Sequence, residues 1–285
     1  MENKEERMNA YTLRNQDWSC QICPEYGANV ISLRHKDFPI LREPASIPAL
    51  KESPVLHGIP LLLPPNRTAG GRFCFDQQEY TLPINEPLHC NHLHGFLHST
   101  KFQVVELSED SLTTRFLNQG DVFPFPFEII IADNLHPEGF RRTLTITNTG
   151  TSAMPLVLAF HTTFTEPDSF SVPICSCWNT DEHYIPTGEK AMLTPEQQAY
   201  QNGCPVSGQI IRGFYEASGQ TARIGDYSFF VQGFDQWILF NGDGKQGFLC
   251  VEPQLGPVNA LNSGHYHRLE RGKSYVFTLE ITSHS

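Results

Sequence analysis

Asn91-His92-Leu93-His94-Gly95-Phe96 packs two histidines, an amide and a glycine into six residues, with His89 and His98 close on either side. In an extended chain, alternation puts His92 and His94 on one side and Asn91 and Leu93 on the other. Gly95 lets backbone or ligand approach closely, so His94 beside it is the stronger candidate. A solvated polar loop would use the same residues, because histidine is often partly buried for structural reasons. Three other residues add weight to a site. Arg67 follows Pro64-Pro65-Asn66, and its rigid fork of donors suits hydroxyls or an anion. His161 ends Leu156-Val157-Leu158-Ala159-Phe160, a run too apolar to face water, and can present its imidazole at a sheet rim. Glu252 follows Phe248-Leu249-Cys250-Val251 and precedes Pro253, which is expected to stop the ladder and leave the carboxylate at a sheet boundary. Taken singly, each has a plainer reading: a surface arginine, a core histidine bonded to a carbonyl, an exposed glutamate.

A carboxylate and an imidazole together are the means for general acid–base chemistry. The carboxylate, with a reference pKa of about 4.3, is ionised at neutral pH and can act as base. An imidazole near 6.5 needs little perturbation to act as acid. Each such group typically contributes about 10²–10⁴ in rate. No metal or organic cofactor is needed. Cysteine chemistry is disfavoured, since none of the eight cysteines sits in a glycine-rich elbow or beside a helix start. Cys20-x-x-Cys23 would need Cys175-x-Cys177 to complete a zinc site, and that second spacing is wrong for a zinc knuckle.

These groups must be positioned by strands. Residues 29–34 form an early strand, and 72–75 with 78–82 form a hairpin. Phe102–Leu107 and Leu112–Leu117 flank a Ser-Glu-Asp-Ser turn. Phe127–Ala132 is nearly all apolar. Arg142–Asn148 alternates, with Leu144 and Ile146 on one face and three threonines on the other. Leu156–Phe160 follows a turn. Trp237–Asn241 and Phe248–Glu252 flank Gly242-Asp243-Gly244-Lys245, and Ser274–Thr282 closes the chain. Helix is limited to one short segment, from a Thr194-Pro195 start to about Asn202, and a weak turn from Ala45 to Lys51. Strands at this spacing predict an all-β fold, an antiparallel sandwich or barrel, with residues 1–285 as a single domain.

Composition sets the remaining bounds. There are 31 acidic against 20 basic residues, a formal charge of −11, and no basic stripe. That argues against a nucleic-acid partner. No apolar run approaches the roughly 18 residues of a membrane span, and Met1–Arg7 is charged with no apolar stretch after it. A cytoplasmic protein with reduced thiols is expected. A homodimer is compatible with the sequence.

In their order along the chain, the motifs resemble those of the aldose 1-epimerase (galactose mutarotase) family. Leu63-Pro64-Pro65-Asn66-Arg67 is similar to its P…P…R segment, and Asn91–Phe96 to its N-x-L-H-G. His161-Thr162-Thr163-Phe164 is similar to H-x-x-F, usually written with Pro-Tyr in the middle. Val251-Glu252-Pro253-Gln254 with Asn259-Ala260-Leu261-Asn262 resembles E-P…N-A-L-N. The resemblance spans roughly residues 25–282 and implies a large antiparallel β-sandwich of the galactose mutarotase type, with a small sugar as substrate in a cleft on one sheet. It implies Glu252 as general base, His161 as general acid, and His94, Arg67 and Asn91 as sugar-binding groups. The base and acid are expected to reach opposite sides of one sugar ring. The family's hydroxyl-holding Asp is missing from Ile211–Glu216, where Glu216 or Asp235 would have to substitute. Two other functions remain open. One is epimerisation of a hexose phosphate, with Arg67 and Arg72 as the cations. The other is a sugar-binding sensor of the same fold without turnover.

Overall fold

Period-two burial identifies the strands that build the core. In Gly139–Asn148, Leu144 and Ile146 are fully buried while Thr143, Thr145 and Thr147 are partly exposed. Its partners repeat the pattern, with Ile129 and Ile131 in Phe127–His136 and Phe277, Leu279 and Ile281 in Ser274–Ser283. A computed structural model describes residues 10–284 of the chain. The charged segment Met1–Arg7 lies outside them. Strand accounts for 52% and helix for 9%, against roughly a third helix in an average soluble domain, so the all-β expectation holds.

Two large antiparallel sheets face each other. One has nine strands and contains the three above; the other has eight. Phe229 of the nine-stranded sheet packs 5.9 Å from the Trp237 ring and 5.2 Å from the Phe164 ring of the other. A four-stranded sheet from the first forty residues and three two-stranded ribbons complete the fold. Among the described residues, no helix is long and apolar enough to cross a membrane.

The eight-stranded sheet carries the candidate site. In Phe248–Leu255 every residue is buried, as expected of a central strand covered on both faces. Leu249 and Val251 join Trp237, Leu239 and Tyr215 in the core. The opposite face holds Cys250, Glu252 and Gln254, with Gln236 and Ile238 of Gln236–Phe240 directly across from Gln254 and Glu252. That face is buried yet polar, an arrangement that needs a chemical reason.

Several boundaries differ from the sequence expectation. The strand expected to end at Glu252 runs through Pro253 to Leu255. It tolerates proline because its neighbour is interrupted there. Leu158–Phe160 and Thr163–Thr165 pair with it above and below a gap occupied by His161 and Thr162. Leu156–Phe160 is likewise two strands, since Met154–Leu156 pairs with His267–Leu269 and Leu158–Phe160 with the eight-stranded sheet. Phe127–His136 outruns its expected end at Ala132 because Asp133, fully buried, is bonded by the equally buried Arg142 at 2.7 and 2.9 Å. The capped helix is present as Pro195–Asn202, with Thr194 and Gln197 capping each other.

Candidate active site

Glu252 stands on the polar face of the central strand, only 2% exposed. His161 enters through the gap beside it. The His161 backbone donates to Pro60 O at 2.9 Å, and Thr162 O accepts from the Val251 amide at 3.0 Å. These bonds pin the kink and set His161 Nε2 3.3 Å from Glu252 Oε1. His161 Nδ1 is buried with no hydrogen-bond partner. The two groups are therefore side by side, where the sequence reading had them on opposite sides of a ring.

His94 reaches the pair from a third element. The strand Asn91–Leu93 ends just before it, and His94 takes a left-handed conformation with φ +65°. Alternation fails at that point. His92 turns away to bond Pro83 O at 2.7 Å, while the His94 ring lies 5.3 Å from the His161 ring and nearly perpendicular to it. Gly95 permits the turn, at φ +61°, because a Cβ there would sit 2.0 Å from Leu63 O.

Arg67 lies on the strand Arg67–Ala69, paired with Asn91–Leu93. Asn259 of the N-A-L-N segment braces that strand: its amide donates to Arg67 O at 2.9 Å, and its Oδ1 accepts from the Ala69 amide at 3.0 Å. The guanidinium grips Glu86, with Nε–Oε2 at 2.9 Å and Nη2–Oε1 at 2.7 Å, beneath the Tyr184 ring at 4.7 Å. Sequence reasoning missed Glu86; its only sequence signal is an acid five residues before Asn91. Asn91, expected to hold sugar, has its amide donors on Glu86 Oε2 at 2.9 Å and His183 O at 3.1 Å. It is thereby a brace for the Arg67–Glu86 pair.

The two stand-ins for the missing Asp lie away from the pair. Glu216 is on the same sheet face, aligned with Gln236 and Gln254 across two strands. Two interstrand spacings separate its strand from that of Glu252, roughly 10 Å. Its carboxylate bonds Lys190 at 2.7 Å and Ser176 at 3.0 Å, and Lys190 holds its pKa below the usual range. Asp235 accepts from the Gly256 amide at 2.7 Å, which fixes the loop after the central strand. The polar groups that share this face with Glu252 are Gln254, two residues along the strand with its buried Oε1 unpartnered, and Gln236 across from Gln254, which accepts from Trp178 Nε1 at 2.8 Å. A glutamine in an otherwise apolar strand is the signal that would have found them.

The electrostatics also differ from the reference values assumed from sequence. Burial pushes the Glu252 carboxyl well above its ordinary pKa, with the Arg67 charge opposing. Burial pushes His161 down to about 4, and His94 well below its usual value, the latter helped by His161. Desolvation disfavours both charged forms. Both shifts favour an uncharged pair, a protonated carboxyl beside a neutral imidazole, and the apparent pKa values belong to the pair.

The family profile described as aldose 1-epimerase matches residues 9–282. The uncharacterized protein YihR of Escherichia coli K12 is 33% identical over 250 residues, covering 81% of this chain and 80% of its own. A crystal structure of a galactose mutarotase-like protein from Clostridium acetobutylicum superposes with a TM-score of 0.89 at 22% identity, covering 99% of this chain and 98% of that one. The structure of galactose 1-epimerase from Lactobacillus acidophilus gives a TM-score of 0.79 at 14% identity, covering 97% and 96%.

Proposed function

This chain belongs to the aldose 1-epimerase family, and on that premise we propose that it interconverts the α and β anomers of an unphosphorylated aldose. The observation that carries the reading is the contact of His161 Nε2 with Glu252 Oε1 at 3.3 Å on a buried, polar sheet face. Ring opening removes the proton from the anomeric hydroxyl and adds one to the ring oxygen. Both oxygens are bonded to C1, so adjacent acid and base groups suit the reaction better than opposed ones. Glu252 takes the hydroxyl proton while His161 gives one to the ring oxygen, and the C1–O5 bond breaks to leave the open aldehyde. Rotation about C1–C2 and closure from the other face reverse both transfers. The pair ends with the one proton it began with, and no cofactor enters. His94 and Arg67 orient the sugar hydroxyls.

A second assignment exchanges the roles, with neutral His161 as base and protonated Glu252 as acid. The burial-driven shifts of the two groups favour it for the empty site, whereas the Arg67 charge favours a Glu252 carboxylate. Difference infrared spectra of the protein with and without sugar would separate the two through the protonated-carboxyl stretch.

The phosphate reading is weaker. Arg67 is matched by Glu86, and Arg72 is largely exposed beside Glu79 at 3.8 Å. A sensor has no need of two buried proton-transfer groups in contact. The test is an anomer-exchange screen by NMR or polarimetry over free and phosphorylated hexoses and pentoses. Catalysed exchange of a free sugar is expected. Sugar binding with exchange no faster than buffer would instead establish the sensor.

A further inference from the structure

Cys250 lies two residues before Glu252 on the same sheet face, fully buried, and the catalytic proposal gives it no role. One ligand atom each from His161, Cys250 and Glu252 lies within 4.8 Å of the others. Thiolate, imidazole and carboxylate are the donors of a borderline-soft divalent ion, and that mixture suits zinc or cadmium better than magnesium or calcium. The spacing fits as well. A tetrahedral zinc with nitrogen and oxygen ligands at about 2.0–2.1 Å holds those two atoms roughly 3.4 Å apart. His161 Nε2 and Glu252 Oε1 are 3.3 Å apart. A zinc–sulfur bond of about 2.3 Å would place the thiolate roughly 3.6 Å from the nitrogen, within the span that the three atoms already occupy. To bind, the Cys250 thiol gives up one hydrogen bond, with Thr163 Oγ1 at 3.4 Å, and a proton that burial and the Glu252 charge hold on it. Arg67 acts on Glu252 and opposes a dication, but Glu86 matches its charge.

We infer that His161, Cys250 and Glu252 form a three-ligand site for a thiophilic divalent cation such as zinc, and that the ion switches the protein off. The inference rests on the proposed acid–base roles only for its consequence. A bound ion occupies the lone pairs of His161 and Glu252 that move protons, so anomer exchange stops while the ion is held. A fourth position would be left to water or a sugar hydroxyl.

The test uses the whole chain with cadmium and zinc salts. Cadmium should give the ultraviolet thiolate-to-metal absorption band at one equivalent per chain, and Cys250→Ser should abolish it. His161→Gln should weaken cadmium binding at least about tenfold, since even partners outside the ligand shell change metal affinity about 10–100-fold. That variant also serves if Cys250→Ser fails to fold. Zinc should inhibit wild-type exchange, and the half-inhibiting concentration should rise at least about tenfold in Cys250→Ser. A cadmium band that persists in Cys250→Ser, or one indifferent to His161→Gln, overturns the site. Zinc inhibition of equal strength in wild type and Cys250→Ser does the same. The spectroscopic arm needs no turnover. An inactive protein with a Cys250-dependent band would sink the mutarotase reading alone, and an active protein without one would sink the metal site alone.

Discussion

Replacing Glu86 by Gln tests whether Arg67 is held by charge. Glu86 accepts charge-assisted bonds from three donors, Arg67 Nε at 2.9 and 3.2 Å, Arg67 Nη2 at 2.7 Å and Asn91 at 2.9 Å, with its side chain 14% exposed. A hydrogen bond to a charged group contributes roughly 1.5–3 kcal/mol net. Gln keeps one acceptor oxygen but turns donors toward the guanidinium, so a loss of roughly 2–4 kcal/mol is expected, or about 3–7 °C in Tm for a chain of this length. Burial alone would raise the Glu86 carboxyl, but the bonds from Arg67 and Asn91 outweigh it and hold the pKa below its usual value. A group depressed in the folded state contributes its stability above the unfolded pKa and loses it as pH falls through the folded one. The Tm gap between wild type and Glu86→Gln should therefore be full at pH 7 and close below about pH 4. The assay is thermal unfolding by circular dichroism across that range, with KM for the sugar measured at pH 7. KM should rise several-fold as Arg67 loses its brace. An unchanged Tm at pH 7, or a gap that persists undiminished in acid, would refute the reasoning.

Other expectations follow from the same geometry. Arg67→Ala should raise KM more than it lowers kcat, because hydroxyl contacts persist from ground state to transition state; steady-state exchange kinetics decide it. Gly95→Ala should cost at least about 2 kcal/mol and displace His94, since its Cβ would meet Leu63 O at 2.0 Å, whereas Gly70→Ala, also at positive φ but in open space, should cost about 1–2 kcal/mol. Thermal melts of the two variants compare them directly. The pH–rate profile should be bell-shaped, with its acid limb near pH 4 where the Glu252–His161 pair takes up a second proton and its alkaline limb where the pair loses its only one. A limb near pH 6.5 would mean His161 is not desolvated.

The strands were legible where one face is buried, because alternation records that burial. Ser274–Ser283 needed one residue of adjustment and Gly139–Asn148 three, all at its start. Pattern failed where burial has a polar cause. Asp133 extends its strand because Arg142 meets it in the core, and Pro253 sits mid-strand because the neighbouring strand breaks at His161. The site residues were found by chemical type: His94, His161 and Glu252 lie together, and Arg67 acts on Glu252 through its charge while its guanidinium is held by Glu86. Their supports were not found. Glu86 and Asn91 act through a pairing that only the fold creates, and His94 leaves the alternation at a left-handed residue. The protonation of the pair was also beyond the sequence, since it depends on burial across four separate segments.

The central claim is that Glu252 and His161 move the proton between O1 and O5. Two-dimensional exchange NMR on a sugar turned over by the wild type measures that step without coupling enzymes. Glu252→Gln keeps size and hydrogen bonding but cannot carry the proton. Exchange should fall by about 10² or more with sugar affinity little changed. His161→Asn should match it, and the double variant should be no worse than about the poorer single one, because both groups serve one transfer cycle. Exchange in Glu252→Gln within a few-fold of wild type would contradict the account.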